Sequence, residues 1–300
     1  MTVAELGARR GARRRLSAAL FRRPWARLAL LLGPPLGWML LVYLGALASL
    51  LVTAFWRLDP LTSTVQQEWG LQNFRTLLQD PVYRTITLRT VGMAAAVTVA
   101  DVALAFPIAY HIARVASPRT RQALLLAVVM PLWSNYLVRV FAWKTILQGQ
   151  GIADWLFTHL LRLPDVHLAA TNWAVGITFC YLWLPYVILP IATALERLPS
   201  SYLEASADLG ARARTTFRRI VLPLAFPGVV AGSIFSFSLT LGDYITPTLV
   251  GKGFFIGNAI YNYVGLASNL PLAAAFAVVP IAIMGAYLAV AKRLGAFEAL

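Results

Sequence analysis

The chain has 300 residues, of which 59% are hydrophobic and only 13% charged, and its formal net charge is +14. Soluble domains carry roughly 25% charged residues, and here the apolar residues also come in long blocks, the pattern of bilayer spans. A soluble globular domain is therefore excluded, and so is a transmembrane β-barrel, whose weakly alternating segments of about 10 residues are missing.

The chain opens on a basic segment, residues 1–27, with "ARRGARRRLSAALFRRPWAR" before the first apolar run. A basic start ahead of an apolar run fits a signal peptide, and "ALA" at 46–48 resembles a cleavage site. The run before that tripeptide is about 20 residues, however, longer than the roughly 7–15 of a signal core. The favoured reading is an uncleaved first span at 28–55, with its arginines facing anionic lipid. Five further spans are predicted at about 86–113, 123–147, 172–195, 225–246 and 272–292. Each supplies roughly 20 residues, enough for the ~30 Å hydrocarbon core at 1.5 Å per residue. The loop 56–85 holds "PLTSTVQQEWGLQNFRTLLQDPVY", polar with a short apolar period, and predicts a small helix on the outer face. "IADWLFTHLLRL" plays the same part in the loop 149–171. Residues 296–300 are a tail, and no linker divides the chain.

Arginines orient the spans. With the N-terminus inside, most of the 26 basic residues fall on inside segments, and the outside loops are near neutral. The basic excess is then a topology signal, with both termini cytoplasmic, and no nucleic-acid partner is expected. Prolines recur within the spans: Pro34, Pro35, Pro107, Pro131, Pro185, Pro190, Pro227 and Pro280. Each can kink a helix and free a carbonyl. "GPPLG" at Gly33 and "GVVAG" at Gly228 place glycines four apart, a spacing that lets helices approach or that arises by chance. Cys180 is the single cysteine, and His111, His159 and His167 lack ligand spacing, so no metal is expected. "VGKGFF" at Val250 is not a phosphate-binding G-x-x-x-x-G-K-[ST] loop, so the chain is not expected to bind ATP itself.

The segment 199–223 is too polar to span. Pro199 stops the preceding helix, and Ser201 with Glu204 fits a capping box. A short helix is predicted through Ala205, Ser206 and Leu209, with Gly210 as a left-handed cap and a second helix from about 212. Leu203 and small Ala205 and Ala207 would let another surface come close. A structured basic loop serving topology alone is the competing reading.

Here the residues carry a resemblance. "EASADLGARARTTFRRIVLP" is similar to the coupling motif of ABC importer permeases: Glu-Ala-Ala, three residues, Gly, nine residues, Ile-x-Leu-Pro. Glu204 and Ala205 match, Ser206 stands for the second alanine, and Gly210, Ile220, Leu222 and Pro223 follow at the motif's spacing. "FPIAYHIARVASPRTRQALLLAVVMPLWSNYLVRVFAW", "SLTLGDYITPTLVG" and "IGNAIYNYVGLASNLPLAAA" resemble the spermidine/putrescine permease subfamily, over residues 86–295. The resemblance implies an all-α polytopic protein of six transmembrane helices with the type I ABC importer permease (MetI-like) fold, in a bacterial inner membrane. It implies two ATPase subunits that hold ATP and magnesium, a second permease subunit as heterodimer partner, and a periplasmic or lipid-anchored solute-binding protein. The ATPase-coupling residues would be Leu203, Glu204, Ala205, Ser206, Leu209, Gly210, Ile220, Leu222 and Pro223. This chain would be no enzyme.

The cargo is read from intramembrane acids. Asp101 falls mid-span and Asp243 near the outer end of the fifth span. An aspartate at mid-bilayer costs about 2.5–3.5 kcal/mol on insertion scales, so it should face a cavity or a partner. A carboxylate flanked by aromatic faces suits a cationic amine. Trp133, Tyr136, Trp183, Tyr186, Tyr244 and Tyr261 are the candidate faces. Alternatively Asp101 pairs with Arg139 or binds backbone freed by a kink, and the aromatics are interface belts. Amino-acid-like, opine, phosphonate or iron cargo on the same machinery is the alternative function. An ion-driven secondary transporter leaves the motif spacing unexplained, and a membrane enzyme lacks clustered acids or histidines.

Overall fold

The structure is a computed structural model that describes residues 24–59, 61–160 and 168–293. Most of the basic N-terminal segment, residues 161–167, on which the last part of the expected "IADWLFTHLLRL" helix and His167 fall, and the tail lie outside the described residues. The chain divides into two units, Met1–Ala54 and Phe55–Leu300. The first holds α1 (Pro24–Met39), a π turn (Leu40–Leu44) and α2 (Gly45–Thr53). Together they give an apolar helix over Leu28–Thr53 that is long enough to cross a bilayer despite Pro34 and Pro35.

The second unit opens on a two-stranded antiparallel hairpin, β1 (Arg57–Leu58) with β2 (Val65–Gln66). The Asp59 carboxylate ties it by accepting from the Leu61 N–H at 2.9 Å and the Gln66 amide at 3.1 Å. An amphipathic helix, α3 (Gln72–Gln79), follows. The hairpin was not expected, because two residues per strand leave no readable alternation.

Four long helices form the body: α4 (Pro81–Tyr110), extended by a π turn His111–Val115; α8 (Asn172–Glu196); α11 (Leu222–Gly242), continuous with α10 (Ala213–Thr216) and a π turn Phe217–Val221; and α14 (Leu270–Arg293). Several helix starts are chemically marked. Asp80 accepts from the Val82 N–H ahead of Pro81, Ser117 from the Thr120 N–H ahead of Pro118, and Thr171 from the Ala174 N–H. Each side chain satisfies an amide that the first turn leaves open, and proline at the first helical position loses nothing there. The central packing is α4, α8 and α11 against one another. One apolar cluster surrounds Ile112, Val187, Ile188, Ile191, Leu195 and Val221; another surrounds Val140, Val175, Phe179, Leu182 and Phe255.

The third span departs from expectation. The sequence predicts one span over about 123–147, with Pro131 able to kink it. The structure has α5 (Pro118–Val129) with a 3-10 turn Met130–Trp133, then α6 (Tyr136–Leu147), bent by 93°. Pro131 tightens the end of the first piece, and Asn135 restarts the helix by accepting from the Leu137 N–H at 2.8 Å. Five helices are thus long and apolar enough to span among the described residues, or six if this bent pair is one span. The remaining elements are α7 (Ile152–Trp155), running into a π turn Leu156–Leu160, α9 (Ser200–Asp208), α12 (Ile245–Val250) and α13 (Ile256–Gly265).

Of the two glycine pairs, Gly228 and Gly232 sit at a real close approach. A Cβ on Gly228 would lie 2.6 Å from both the Ala194 Cβ and the Pro190 carbonyl oxygen, and one on Gly232 3.0 Å from Val187 Cα. Gly228→Ala is therefore expected to prise α8 from α11 at a cost of about 1–3 kcal/mol. Gly285→Ala, where nothing lies within 4 Å, is the matched control. Thermal stability of the purified protein should fall for the first and not for the second; equal curves would refute the close packing.

Candidate functional site

Two candidate sites lie at opposite ends of α11. The first is built from the polar segment. Pro199 occupies the N-cap of α9, and no side chain caps that helix. The expected Ser201–Glu204 capping box does not form. Helix geometry begins at Ser200, so Ser201 already sits inside the first turn and cannot act as cap. The other end is capped as the sequence suggests. Gly210 has φ +69°, with Gly210 N–H donating to the Ala207 carbonyl at 2.8 Å and Ala211 N–H to the Ser206 carbonyl at 3.0 Å. This is the paired bonding of a Schellman motif, whose left-handed position favours glycine.

The reversal folds α9 back toward α10 and the π turn. Ser206, buried, exchanges a 2.7 Å hydrogen bond with the Thr216 hydroxyl across the turn. An alanine at this position could not make it. Between the two arms lies an open groove of about 530 Å³, lined by Tyr202, Ala205, Ser206, Leu209, Ala211, Arg219, Ile220, Pro223 and Leu224. Leu209 is 87% exposed, a large apolar side chain presented to whatever enters. Of the predicted coupling residues, Ala205, Ser206, Leu209, Ile220 and Pro223 line the groove. Glu204, Gly210 and Leu222 are exposed beside it, and Leu203 turns the other way, onto the cluster around Ile112 and Leu195.

The second site lies at the far end, where two helix breaks meet. Tyr136 is the first residue of α6, after the 93° bend, and Asp243 is the residue on which α11 ends. The Tyr136 hydroxyl donates to the Asp243 carboxylate and also contacts Thr246 Oγ1 at 2.8 Å. Asp243 further accepts from the Ile245 and Thr246 N–H groups at 2.7 and 3.0 Å, and from the Thr246 hydroxyl at 3.2 Å. It therefore caps α12 as well as binding Tyr136. Aromatic faces gather around it. Tyr136 stacks on Trp183 at 6.1 Å and 10°, Trp183 meets Tyr186 at 6.2 Å, and Tyr244 stacks on Tyr261 at 4.8 Å and 13°. Tyr136, Trp183, Asp243 and Tyr244, with Ser238, Leu239, Gly242 and Ile245, line an open cavity of about 370 Å³.

Four candidates do not line this cavity: Tyr186 and Tyr261, which meet the lining rings of Trp183 and Tyr244, and Trp133 and Asp101. Trp133, 81% exposed, lies on the turn before the bend. Asp101 is fully buried in α4 and accepts from the Ser236 hydroxyl of α11 at 2.6 Å, with the Cys180 thiol beside it. It makes no ion pair with Arg139; the single ion pair among the described residues is Arg121–Glu196. A buried carboxylate bonded across two packed helices serves packing as well as an amide would. Asp101→Asn keeps an acceptor for Ser236, and uptake is expected to stay within about twofold of wild type. A loss beyond tenfold would assign its charge to transport.

Thr246 and Ser236 complete the bonding of the two acids and were not foreseen. Asp243 carried a signal as a helix-start aspartate, but nothing in the sequence marked Thr246 as its partner. Ser236 carried none, lying 135 positions from its partner.

Residues 96–295 match the family model described as the inner membrane component of binding-protein-dependent transport systems. The chain is 47% identical over 299 residues to the inner membrane ABC transporter permease protein YdcU of Escherichia coli (strain K12), covering 95% of each. It is 31% identical over 261 residues to the spermidine/putrescine transport system permease protein PotB of the same organism, covering 86% of this chain and 94% of the relative. In structure it is similar to a chain of a bacterial alginate ABC transporter, solved in complex with an alginate pentasaccharide-bound periplasmic protein. The TM-score is 0.73 at 18% identity, over 93% of this chain and 98% of the other.

Proposed function

We infer the function from one premise: the chain belongs to the family of inner membrane components of binding-protein-dependent transport systems. It is the permease subunit of an ABC importer, an all-α multi-pass protein of the inner membrane. Membership implies ATPase subunits and a solute-binding protein as partners. Within that frame we propose that the cargo is a polyamine or a similar small cation. The observation that carries this is the single carboxylate of Asp243, set among the faces of Tyr136, Trp183 and Tyr244. A negative charge among π faces attracts ammonium groups, each well-placed face adding about 0.5–2 kcal/mol. The relative that moves spermidine and putrescine supports the same cargo.

The groove between α9 and the π turn is the proposed docking surface for the ATPase, and the arginine-rich end of the bundle is the cytoplasmic one. Residues 1–27 and 296–300 lie on that side, and residues 56–85 face the periplasm. The core of five further spans, 86–295, carries the coupling loop 199–223. Two ATPases and a second, different permease chain complete the importer. ATP and magnesium belong to the ATPases, a reading supported by the lack of a phosphate-binding loop in this sequence. ATPase closure pushes on the groove, and the rearrangement opens the Asp243 end to the binding protein.

The test is uptake by cells carrying the complete system. Labelled putrescine and spermidine should accumulate, compete with each other, and ignore an excess of glutamate or alkylphosphonate. Uptake competed by the anions instead would overturn the cationic cargo and leave the permease assignment standing.

A further inference from the structure

Between the end of α8 and the start of α9 the chain is gripped from outside. Arg121 on α5 forms a 2.6 Å ion pair with Glu196, the last residue of α8. Arg114, in the π turn that ends α4, donates to the carbonyl of Leu198, a buried residue two positions further on. The two arginines stand on either side of the bend between α4 and α5, and α9 begins at Ser200. The Leu198 carbonyl lies in the connection between α8 and α9, outside the hydrogen-bond ladder of either helix, and Arg114 supplies a donor. Nearby, Phe106 of α4 meets Phe217 of the groove's second arm edge-on at 5.4 Å.

The grip is placed for transmission more than for stability. The Arg121 and Glu196 side chains are 40% and 28% exposed, and pairs so open to water add little to folding. What the pair does is connect. α5 runs from Arg121 to the 93° bend, and Tyr136 just beyond that bend holds Asp243. A displacement of α9 can thus reach the Tyr136–Asp243 contact through α5, beside the route along α8 itself.

Resting on the permease reading above, we propose that Arg121 and Arg114 are positioning residues for ATP-driven transport: Arg121 fastens Glu196 to α5 and Arg114 fastens Leu198 to the end of α4, so that ATPase movement at the groove is delivered through α5 to the bent third span. Neither residue touches cargo or nucleotide.

The experiment uses the whole importer in proteoliposomes with its binding protein, and reads solute transported per ATP hydrolysed. Arg121→Glu and Glu196→Arg should each lower that ratio about tenfold, with ATPase retention unchanged, and the double exchange should restore it to within about threefold. A lower ratio at unchanged ATPase retention is the readout that a merely structural role would not give, and rescue by exchange assigns that loss to the pair. Normal ratios in the single variants, or a double variant no better than the singles, would overturn the proposal. Should a reversed charge keep the chain from the membrane, Arg121→Gln and Glu196→Gln decide by the same ratio: a fall supports the proposal and wild-type coupling overturns it. A wild-type chain that retains no ATPase would instead overturn the permease reading, and this inference with it.

Discussion

Replacing Gly210 by valine is expected to cut solute uptake by at least about tenfold while the chain still reaches the membrane. Nothing lies within 4 Å of a Cβ built on Gly210, so the change makes no clash. Its effect comes from the backbone alone. At φ +69° an L-residue suffers a contact between Cβ and the following carbonyl, about 1–2 kcal/mol in general and more for a β-branched side chain. Since 1.4 kcal/mol is a factor of ten, the turn is expected to leave the left-handed conformation in a large share of molecules. The two bonds from Gly210 and Ala211 to the carbonyls of Ala207 and Ser206 are then lost, and the arms of the groove no longer face each other. Because φ is the only determinant, the order should be Gly, then Asn, then Ala, then Val, asparagine being the side chain that best tolerates this region. Copurified ATPase and uptake should fall together along that series. Wild-type ATPase retention and uptake in Gly210→Val would show that the turn geometry is irrelevant to docking.

The spans, the polar segment and the reversal at Gly210 were legible because each is written locally. Twenty apolar residues, an acidic and arginine-rich interval, and a glycine at a helix end need no knowledge of neighbours. The capping box misled because Ser201 and Glu204 have the right spacing two residues too late; Pro199 already fixes where α9 starts. The break at Ser134 was hidden because apolar residues flank it on both sides and hydropathy averages over a turn. Pro131 followed by Asn135 was the available sign. Contacts between distant parts were not legible at all. The residue types of Tyr136 and Asp243 mark both as candidates, yet their bond spans 107 positions, and the sequence suggests Arg139 for Asp101 where the fold gives it Ser236. Chemistry can be read from residue types, whereas pairing depends on which helices pack.

Asp243→Asn is the second large effect, and the geometry makes it a clean removal of charge. One carboxylate oxygen accepts from two backbone amides, those of Ile245 and Thr246; the other meets only hydroxyls, those of Tyr136 and Thr246. An asparagine can keep its carbonyl toward the amides and turn its NH₂ toward the hydroxyls, which rotate to accept. The cap on α12 survives, so the variant should fold and reach the membrane at wild-type level. Asp243→Ala, by contrast, loses the cap as well, at about 1 kcal/mol. If the carboxylate is where a cationic cargo loses its water, removing its charge costs about 3 kcal/mol, a loss of roughly 100-fold in uptake. Tyr136→Phe separates the two duties of the site. It frees one carboxylate position for an incoming ammonium and keeps the ring stacked on Trp183, so uptake is expected to fall by less than about tenfold, with the change in apparent affinity rather than maximal rate. Wild-type uptake in Asp243→Asn, together with normal thermal stability, would make the carboxylate a helix cap alone and move the cargo path elsewhere in the bundle.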